Sequence, residues 1–580
     1  MLCSHVTTLF NEIALIDSRT IITQKVASLL LDATPKEASI IVNFALGQMH
    51  PPYYNTNFNM AEKTVLKAIS QVLAIDLDII EKAAKKAGDC GNLFEQYTWN
   101  YNCQVTVEQL YAELLVIQNI EGGGAVDGKT NALALLLTKL DAVSAKFVVR
   151  IIIGKLRLGF SDMTILDALS VMVVRDKSAR PSIEHAYNIC VDIGKITYEL
   201  KQYGLYALEE KKVTVGIPIM PAAAERLPTA QAIVEKIGAC VAQPKLDGFR
   251  LQIHIDKSRK KTKINFFSRN LKDMSFMFPD LVQDLLCLPV KQLIAEGEAI
   301  VFDPHAGTFL PFQETVKRKR KHDIESVAAD YPLKLFLFDI LFLDGAELLQ
   351  LTHMERRNIL VSLFAQCQPM LVALIEQKEI ADAAQLENYF YEMIGSGLEG
   401  LVVKKPDAIY RPGKRDFNWI KLKRQEEGHL NDTIDCVLLG YYKGKGKRTA
   451  FGIGALLVGI YNKEKDCFET IAKIGTGLTD QEWIEIKQKA DIFAIDEQPH
   501  NIICASTLTP DVWIIPTIVC MIRADEITIS PVHTAGKTEK TLGYALRFPR
   551  FMGYRDDKNG TDATTDAEIE ELYFCQFTKK

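Results

Sequence analysis

The chain lacks any long apolar run. No stretch of about 18 uncharged apolar residues occurs in its 580 residues, so no membrane span is expected. The opening segment MLCSHVTTLFNEIALIDSR carries acidic residues and no extended apolar centre, so it does not read as a secretory signal. The 12 cysteines are scattered and none forms a CxxC pair. This argues against a tetracysteine zinc site and a disulfide framework, and points to a reducing, intracellular setting, cytoplasmic in a prokaryote or nuclear in a eukaryote. The chain also has no excess of positive charge: 68 Lys+Arg against 73 Asp+Glu leave a net charge of -5. That disfavours a passive electrostatic coat on nucleic acid, but leaves room for local basic surfaces that contact phosphate. No internal repeat of about 20–50 residues is found.

What is present is ample material for several cores. Hydrophobic residues make up 48%, and a chain this long is expected to divide into about three or four domains. Residues 1–215 read as helical. Apolar residues recur at three- and four-residue spacing in TVLKAISQVLAIDLDIIEKAAKKAG and NALALLLTKLDAVSAKFVVRIII. GIPIMPAAAERLP (216–228) interrupts with three prolines and reads as a linker. From about residue 240, short strand-like runs take over, among them CVAQPKLDG, LIAEGEAIVFD, LKLFLFDILFLDG and WIKLKR. These predict an antiparallel α+β domain over 216–428. Beyond it, DTIDCVLLGYYKG, GIGALLVGIYN and CFETIAKIGTG suit a small β-barrel over 429–580. The basic runs KSRKKTK (257–263), KRKRK (317–321) and KGKGKR (443–448) fit solvated loops between strands.

Chemistry concentrates around Lys245-Leu-Asp-Gly-Phe-Arg250. Alone this also fits a polar hairpin, but it suits a lysine nucleophile. The amine attacks phosphorus only when neutral, and a neighbouring cation such as Arg250 disfavours the ammonium. Further on comes Ser268-Arg269-Asn270, whose arginine can grip phosphate with two donors. Strand alternation puts Glu296 and Glu298 of Glu-Gly-Glu on one face. Phe338, inside an apolar run, suits either a core or a stacked base. In Glu399-Gly-Leu-Val-Val-Lys404, Gly400 permits close backbone approach. Glu399 is a good oxygen donor for Mg²⁺, and Lys404 is suited to an α-phosphate. Tyr410-Arg-Pro-Gly-Lys-Arg415 leads to Trp419-Ile-Lys421-Leu-Lys423, whose lysines share a strand face.

In order and spacing these motifs resemble those of the covalent nucleotidyltransferases: DNA ligases, RNA ligases and mRNA capping enzymes. The resemblance continues to Arg547-Phe-Pro-Arg-Phe551 and Arg555-Asp-Asp-Lys558, so it spans residues 245–558. It implies that Lys245 carries AMP from ATP, that Arg269 contacts nucleotide or nicked-DNA phosphate, and that Glu298 binds ribose or helps place a metal. It further implies that Phe338 stacks on adenine. Arg250, Lys404, Arg415, Lys421 and Lys423 would surround the nucleotide, with Glu298 and Glu399 at Mg²⁺ (or Mn²⁺). Arg555 and Lys558 would orient the leaving pyrophosphate from an OB-fold barrel. Two positions depart from the family pattern. Glu296 stands where aspartate is usual, and Gln243 stands where glutamate usually contacts the adenine amino group. An amide can accept as glutamate does, but it can also donate, so selection against guanine is expected to weaken.

FVVRIIIGKLRLGFSDMTILDAL (147–169) resembles a signature of the helical DNA-binding domain in archaeal and eukaryotic replicative-type DNA ligases. Lys155 and Arg157 there can hold backbone phosphates without reading bases. RNA ligases and capping enzymes usually lack such a domain. The resemblance therefore implies an ATP-dependent DNA ligase, archaeal in type and expected as a monomer, sealing nicked duplex DNA in replication, repair and recombination. A sliding clamp is a candidate partner, although no clamp-binding peptide stands out. The competing readings are an RNA ligase or capping-type enzyme, and a DNA-binding repair scaffold with a decayed site. The second predicts loss of the key charges, and all of them are present.

Overall fold

The computed structural model describes residues 1–101, 104–209, 211–303, 308–309, 331–367, 369–396, 398–423, 433–539 and 541–578. The basic run at 317–321 lies outside them. The chain forms two compact units, one of Met1–Ala68 with Trp99–Arg424 and one of Ile69–Thr98 with Gln425–Lys580.

The first unit begins with packed helices. Their ends follow local chemistry. Thr34 and Glu37 form a reciprocal capping box ahead of Pro35–Ala45, with Pro35 in the first turn, and Thr106 and Gln109 do the same for Val107–Gln118. Asp141 accepts from the amides of Val143 and Ser144 to start Ala142–Ile153. That helix is buried almost all round, through Phe147, Val148, Val149, Ile151 and Ile152. Gly154, left-handed at φ 73°, ends it. The loop that follows carries Lys155, exposed, and Arg157, half-buried with φ 62°.

Twelve strands follow among the described residues of this unit: β1 (Ala223–Arg226), β2 (Cys240–Pro244), β3 (Phe249–Asp256), β4 (Lys263–Ser268), β5 (Gln292–Asp303), β6 (Thr308–Phe309), β7 (Leu333–Leu343), β8 (Ala346–Glu347), β9 (Val372–Leu374), β10 (Lys378–Ile380), β11 (Gly400–Lys404) and β12 (Arg415–Lys423). They build two sheets. One has the order β1-β12-β11-β2-β10; the other has β4-β3-β5-β7-β8, with β6 on β5 and β9 on β7. Each sheet buries one face under helices. Ala230–Ile237 and Ala383–Gly395 cover the first through Ile233, Leu386, Tyr389, Leu401 and Ile420. Pro279–Leu285 and His353–Phe364 cover the second through Leu281, Leu285, Leu360, Ile253 and Leu337.

The proline-rich segment expected to be a linker is instead fixed structure. The Gly216 amide donates to His254 Nδ1 at 2.9 Å, and the Ile219 amide donates to Gln252 Oε1 at 2.7 Å. Ile219 is fully buried. The segment then enters β1, which pairs in parallel with β12. Its prolines limit helix formation without preventing docking on a sheet.

In the second unit, β13 (Ile434–Tyr442), β14 (Ala455–Asn462), β15 (Cys467–Ile474), β16 (Ala494–Ile495), β17 (Ile502–Ile503), β18 (Val512–Ile514), β19 (Val519–Arg523) and β22 (Arg550–Tyr554) form an eight-stranded sheet. β20 (Glu526–Ser530) pairs with β21 (Gly543–Arg547). Both faces of β13 are buried. The helix Asp480–Asp491, capped by Thr479, inserts Trp483 and Ile486 into the larger core. Among the described residues, no helix is long and apolar enough to cross a membrane.

Candidate active site

The two sheets of the first unit enclose a cavity of about 540 Å³. Most of the nucleotide-site residues expected from sequence line it: Gln243, Lys245, Arg250, Arg269, Glu298, Phe338, Lys404, Arg415, Lys421 and Lys423. Glu399, at the edge of β11, joins them through an ion pair.

Lys245 follows β2 directly, and its amide donates to Gly400 O at 2.9 Å, which continues the β2–β11 pairing into the turn. Its ammonium pairs with Glu399 Oε2, which Lys423 Nζ also meets at 3.1 Å. Burial raises the Glu399 carboxyl, but Lys245 and then Lys423 hold it below its ordinary value. Gly400 has φ 138° and lies against Leu422 O, so a Cβ there would clash with β12. Only glycine lets the strand carrying Glu399 lie this close. Gly248 fits in the same way against Ala299 O, and its amide donates to Glu298 Oε1 at 3.2 Å. Burial pushes the Glu298 carboxyl up to about 7, against the pull of Lys245 and Arg250.

Alternation along β5 brings Glu296 and Glu298 to the same side, with different partners. Glu296 is buried and takes two contacts from Arg250 Nη2, at 3.0 and 3.1 Å, and the Tyr410 hydroxyl at 3.0 Å. Arg250 Nη1 donates to Ala222 O at 2.8 Å. The Arg250 charge, expected to act beside Lys245 and the nucleotide, is thus met by Glu296 within the protein. Its guanidinium lies 5.5 Å from the ring centres of both Phe338 and Trp419.

Phe338 is half-buried and meets Trp419 edge-on at 6.0 Å. Lys404 is buried beside both rings, 4.2 Å from the centre of Trp419, and donates to Phe338 O at 3.2 Å. Burial depresses its ammonium to about 7, although Asp339 pulls the other way. Lys421 is also lowered, first by burial and then by Lys423, Arg415, Lys245 and Arg226. Like charges this close favour an incoming polyanion.

Several supporting residues carry no motif. Arg356 and Asp339 form a fully buried ion pair, with Arg356 Nε 2.7 Å from Asp339 Oδ1. Gln243 is itself buried, and its amide nitrogen donates to Gln377 Oε1 at 2.9 Å. Gln377 and Arg356 have no spacing that would single them out. Trp419, part of the W-x-K-x-K pattern, emerges as a wall of the cavity.

The second unit holds Arg555 and Lys558 together. Arg555 Nη1 and Lys558 Nζ reach the same oxygen of Asp435, at 2.9 and 2.8 Å, while Arg555 also grips Asp557.

Comparison with known proteins gives the family. Family profiles match in succession: DNA ligase N terminus over residues 2–170, ATP dependent DNA ligase domain over 221–423, and ATP dependent DNA ligase C terminal region over 449–558. A probable DNA ligase of Dictyoglomus thermophilum is 44% identical, covering 100% of this chain and 99% of that protein. DNA ligase 2 of Thermofilum pendens is 36% identical, covering 98% and 96%. A probable DNA ligase of Aquifex aeolicus is 38% identical, covering 94% of each. The solved structure Pmar-Lig_PreS3 shares the fold at TM-score 0.57 and 17% identity, covering 95% of this chain and 99% of that one. Together these place the chain in the family of ATP-dependent DNA ligases.

Proposed function

We propose that the cavity between the two sheets is the adenylation site and that Lys245 is the nucleophile. Lys245 Nζ attacks the α-phosphate of ATP, the bond to pyrophosphate breaks, and a lysyl-AMP phosphoramidate forms. AMP then passes to the 5′-phosphate at a DNA nick. The 3′-hydroxyl attacks that phosphate, the nick closes and AMP leaves. The supporting observation is the position of Lys245, pinned by the Gly400 carbonyl and facing a cavity lined by Lys404, Lys421, Lys423, Arg415 and Arg269. All three steps are phosphoryl transfers, so positioning and charge neutralisation carry them.

Each wall has a role in this reading. Phe338 stacks on the adenine, and Gln243 faces its edge. Lys404 sits at the α-phosphate. Lys421 and Lys423, with Arg415, meet the remaining phosphates, and Arg269 meets nucleotide or nick phosphate. Arg250 is neutralised by Glu296, so it braces the two aromatic rings and the ribose side of the cavity. Glu298 and Glu399 supply two carboxylates, the complement that fits Mg²⁺ or Mn²⁺ when waters and substrate phosphates provide the other oxygens. A bound divalent ion would offset phosphate charge as pyrophosphate departs. While Glu399 pairs with Lys245, the amine is not free to attack, so exchange of that carboxylate to another partner releases the nucleophile.

We assign residues 1–215 to DNA binding, 216–428 to adenylation and 429–580 to an OB-fold domain. Lys155 and Arg157 hold duplex phosphates. Arg555 and Lys558, aligned by Asp435, orient pyrophosphate. The acting species is a monomer, with a sliding clamp as a further candidate partner. Incubation with α-labelled ATP and Mg²⁺ tests the reading. An acid-labile label on the wild-type chain, absent from Lys245→Ala, is expected. No label, or a label that survives the substitution, overturns it. Sealing of nicked DNA over nicked RNA is expected in the same preparations.

A further inference from the structure

Gln243 leaves a question that its neighbours answer. An amide can present either an acceptor or a donor to a base, and the two faces suit different purines. Here the amide nitrogen is already committed, donating to Gln377 Oε1 at 2.9 Å. The same Gln377 oxygen lies 3.0 Å from His353 Nε2, and Gln377 Nε2 donates to Met354 Sδ at 3.5 Å. His353 is buried, and its amide donates to Ala408 O at 2.9 Å, while the Met354 amide donates to Pro406 O at 3.1 Å. The backbone that carries both partners is therefore fixed.

The orientation of the chain of amides follows from this. Turning Gln377 over would set its carbonyl against the Met354 sulfur, two acceptors face to face. Turning Gln243 over would set its carbonyl against that of Gln377. Turning both amides together would set the Gln377 carbonyl against the Met354 sulfur and would need the His353 proton on Nδ1, 3.8 Å from Asp339 Oδ2 and beyond hydrogen-bond distance; the observed orientation gives the Gln243 and Gln377 N–H groups acceptors and has His353 donating from Nε2. The atom of the Gln243 amide left for the cavity is then Oε1.

We infer that Gln377, held by His353 and Met354, is a positioning residue that locks Gln243 with its carbonyl oxygen toward the base, so that an amide acts as an acceptor-only group and selects adenine over guanine. The inference rests on the reading above in which Gln243 faces the base edge. Adenine offers its exocyclic N–H₂ to that oxygen. Guanine places a carbonyl there, and two acceptors would meet. Selectivity is thus set by a residue 134 positions away in sequence, rather than by the chemistry of Gln243 alone.

The test is single-turnover self-adenylation or self-guanylation of the full chain with ATP or GTP, read as the ratio of the two kcat/KM values. Gln377→Leu frees the Gln243 amide to rotate, and the ratio is expected to fall by about tenfold or more, the worth of one hydrogen bond. Gln377→Glu keeps an acceptor for both partners, so it should retain the wild-type ratio. Adding Gln243→Glu to Gln377→Leu should restore the preference, because a carboxylate cannot turn a donor to the base. Gln377 is only half-buried, and Gln377→Ala serves as the second truncation should the leucine variant fail to fold. An unchanged ratio in the truncations, with a lowered ratio in Gln243→Leu, overturns the positioning role and leaves the base contact standing. An unchanged ratio in Gln243→Leu as well overturns the base contact itself.

Discussion

His254 makes the first unit sensitive to mild acid by an amount that can be worked out. Its ring is fully buried, edge-on to Phe267 at a centroid distance of 4.8 Å. Nδ1 accepts from the Gly216 amide at 2.9 Å, so the proton sits on Nε2, which donates to Gln252 Oε1 at 2.9 Å. Burial depresses the imidazole from 6.5 to about 3. The folded chain therefore keeps His254 neutral, while the unfolded chain takes up a proton below pH 6.5. The associated stability is complete above 6.5 and is lost as pH falls from there toward 3. At pH 5 the unfolded state is favoured by 1.5 pH units of protonation, about 2 kcal/mol. Protonating Nδ1 also breaks its bond to Gly216 and loosens the segment that leads into β1. Urea unfolding of wild type and His254→Gln at pH 7.5 and pH 5, followed by circular dichroism, isolates this contribution. The variant is expected to be less stable at pH 7.5, but to lose about 2 kcal/mol less than wild type between the two pH values. Equal losses in both proteins would refute the assignment.

Two further outcomes follow from the geometry. Gly400→Ala forces a β-carbon against Leu422 O at φ 138°; backbone strain alone costs roughly 1–3 kcal/mol, and the shift transmitted through the Gly400 carbonyl to Lys245 is expected to slow self-adenylation on the order of a hundredfold, so an unchanged rate would contradict the role given to that contact. Lys155→Ala, at an exposed loop position, should weaken binding of nicked duplexes equally across sequences and flatten the plot of log affinity against log salt by about one; a sequence-dependent loss would mean that the loop reads bases.

Much of the site could be read from the sequence because its chemistry is local. Period-two alternation fixes that Glu296 and Glu298 share a side, as do Lys421 and Lys423, and a short turn ties Lys245 to Gly248 and Arg250. Those relations survive folding unchanged. The relations that did not show are between distant segments. The proline spacing in GIPIMP correctly excludes a helix, but the parallel pairing of β1 with β12 joins Ala223 to Arg415, and no window around 223 contains that partner. Helical periodicity finds Leu77–Ala87, yet it cannot tell which core receives that helix, and Ile69–Thr98 joins the unit of Gln425–Lys580.

Charge shows the limit most clearly. Arg250 lies five residues from Lys245 and reads as a cation beside the nucleotide, but Glu296, diagonal to it on β5 while Glu298 stands opposite, takes that charge. Tyr410 and Ala222 complete the enclosure. A guanidinium already bonded to a buried carboxylate gives up less to an incoming triphosphate than an exposed one does, because neutralisation has been met once. In the proposed reaction the polyanion would then be met by the other cations lining the cavity, Lys421, Lys423, Arg415 and Arg269. Around Lys421 the cations Lys423, Arg415, Lys245 and Arg226 add to burial in holding its ammonium below the ordinary value. A cluster of mutually repelling cations is destabilising, and an incoming polyanion would relieve that repulsion. The ion pairs of Glu399 with Lys245 and Lys423 partly offset it, so in the proposed reaction the carboxylate that steadies the cavity is the same one that has to release Lys245 before phosphorus is attacked.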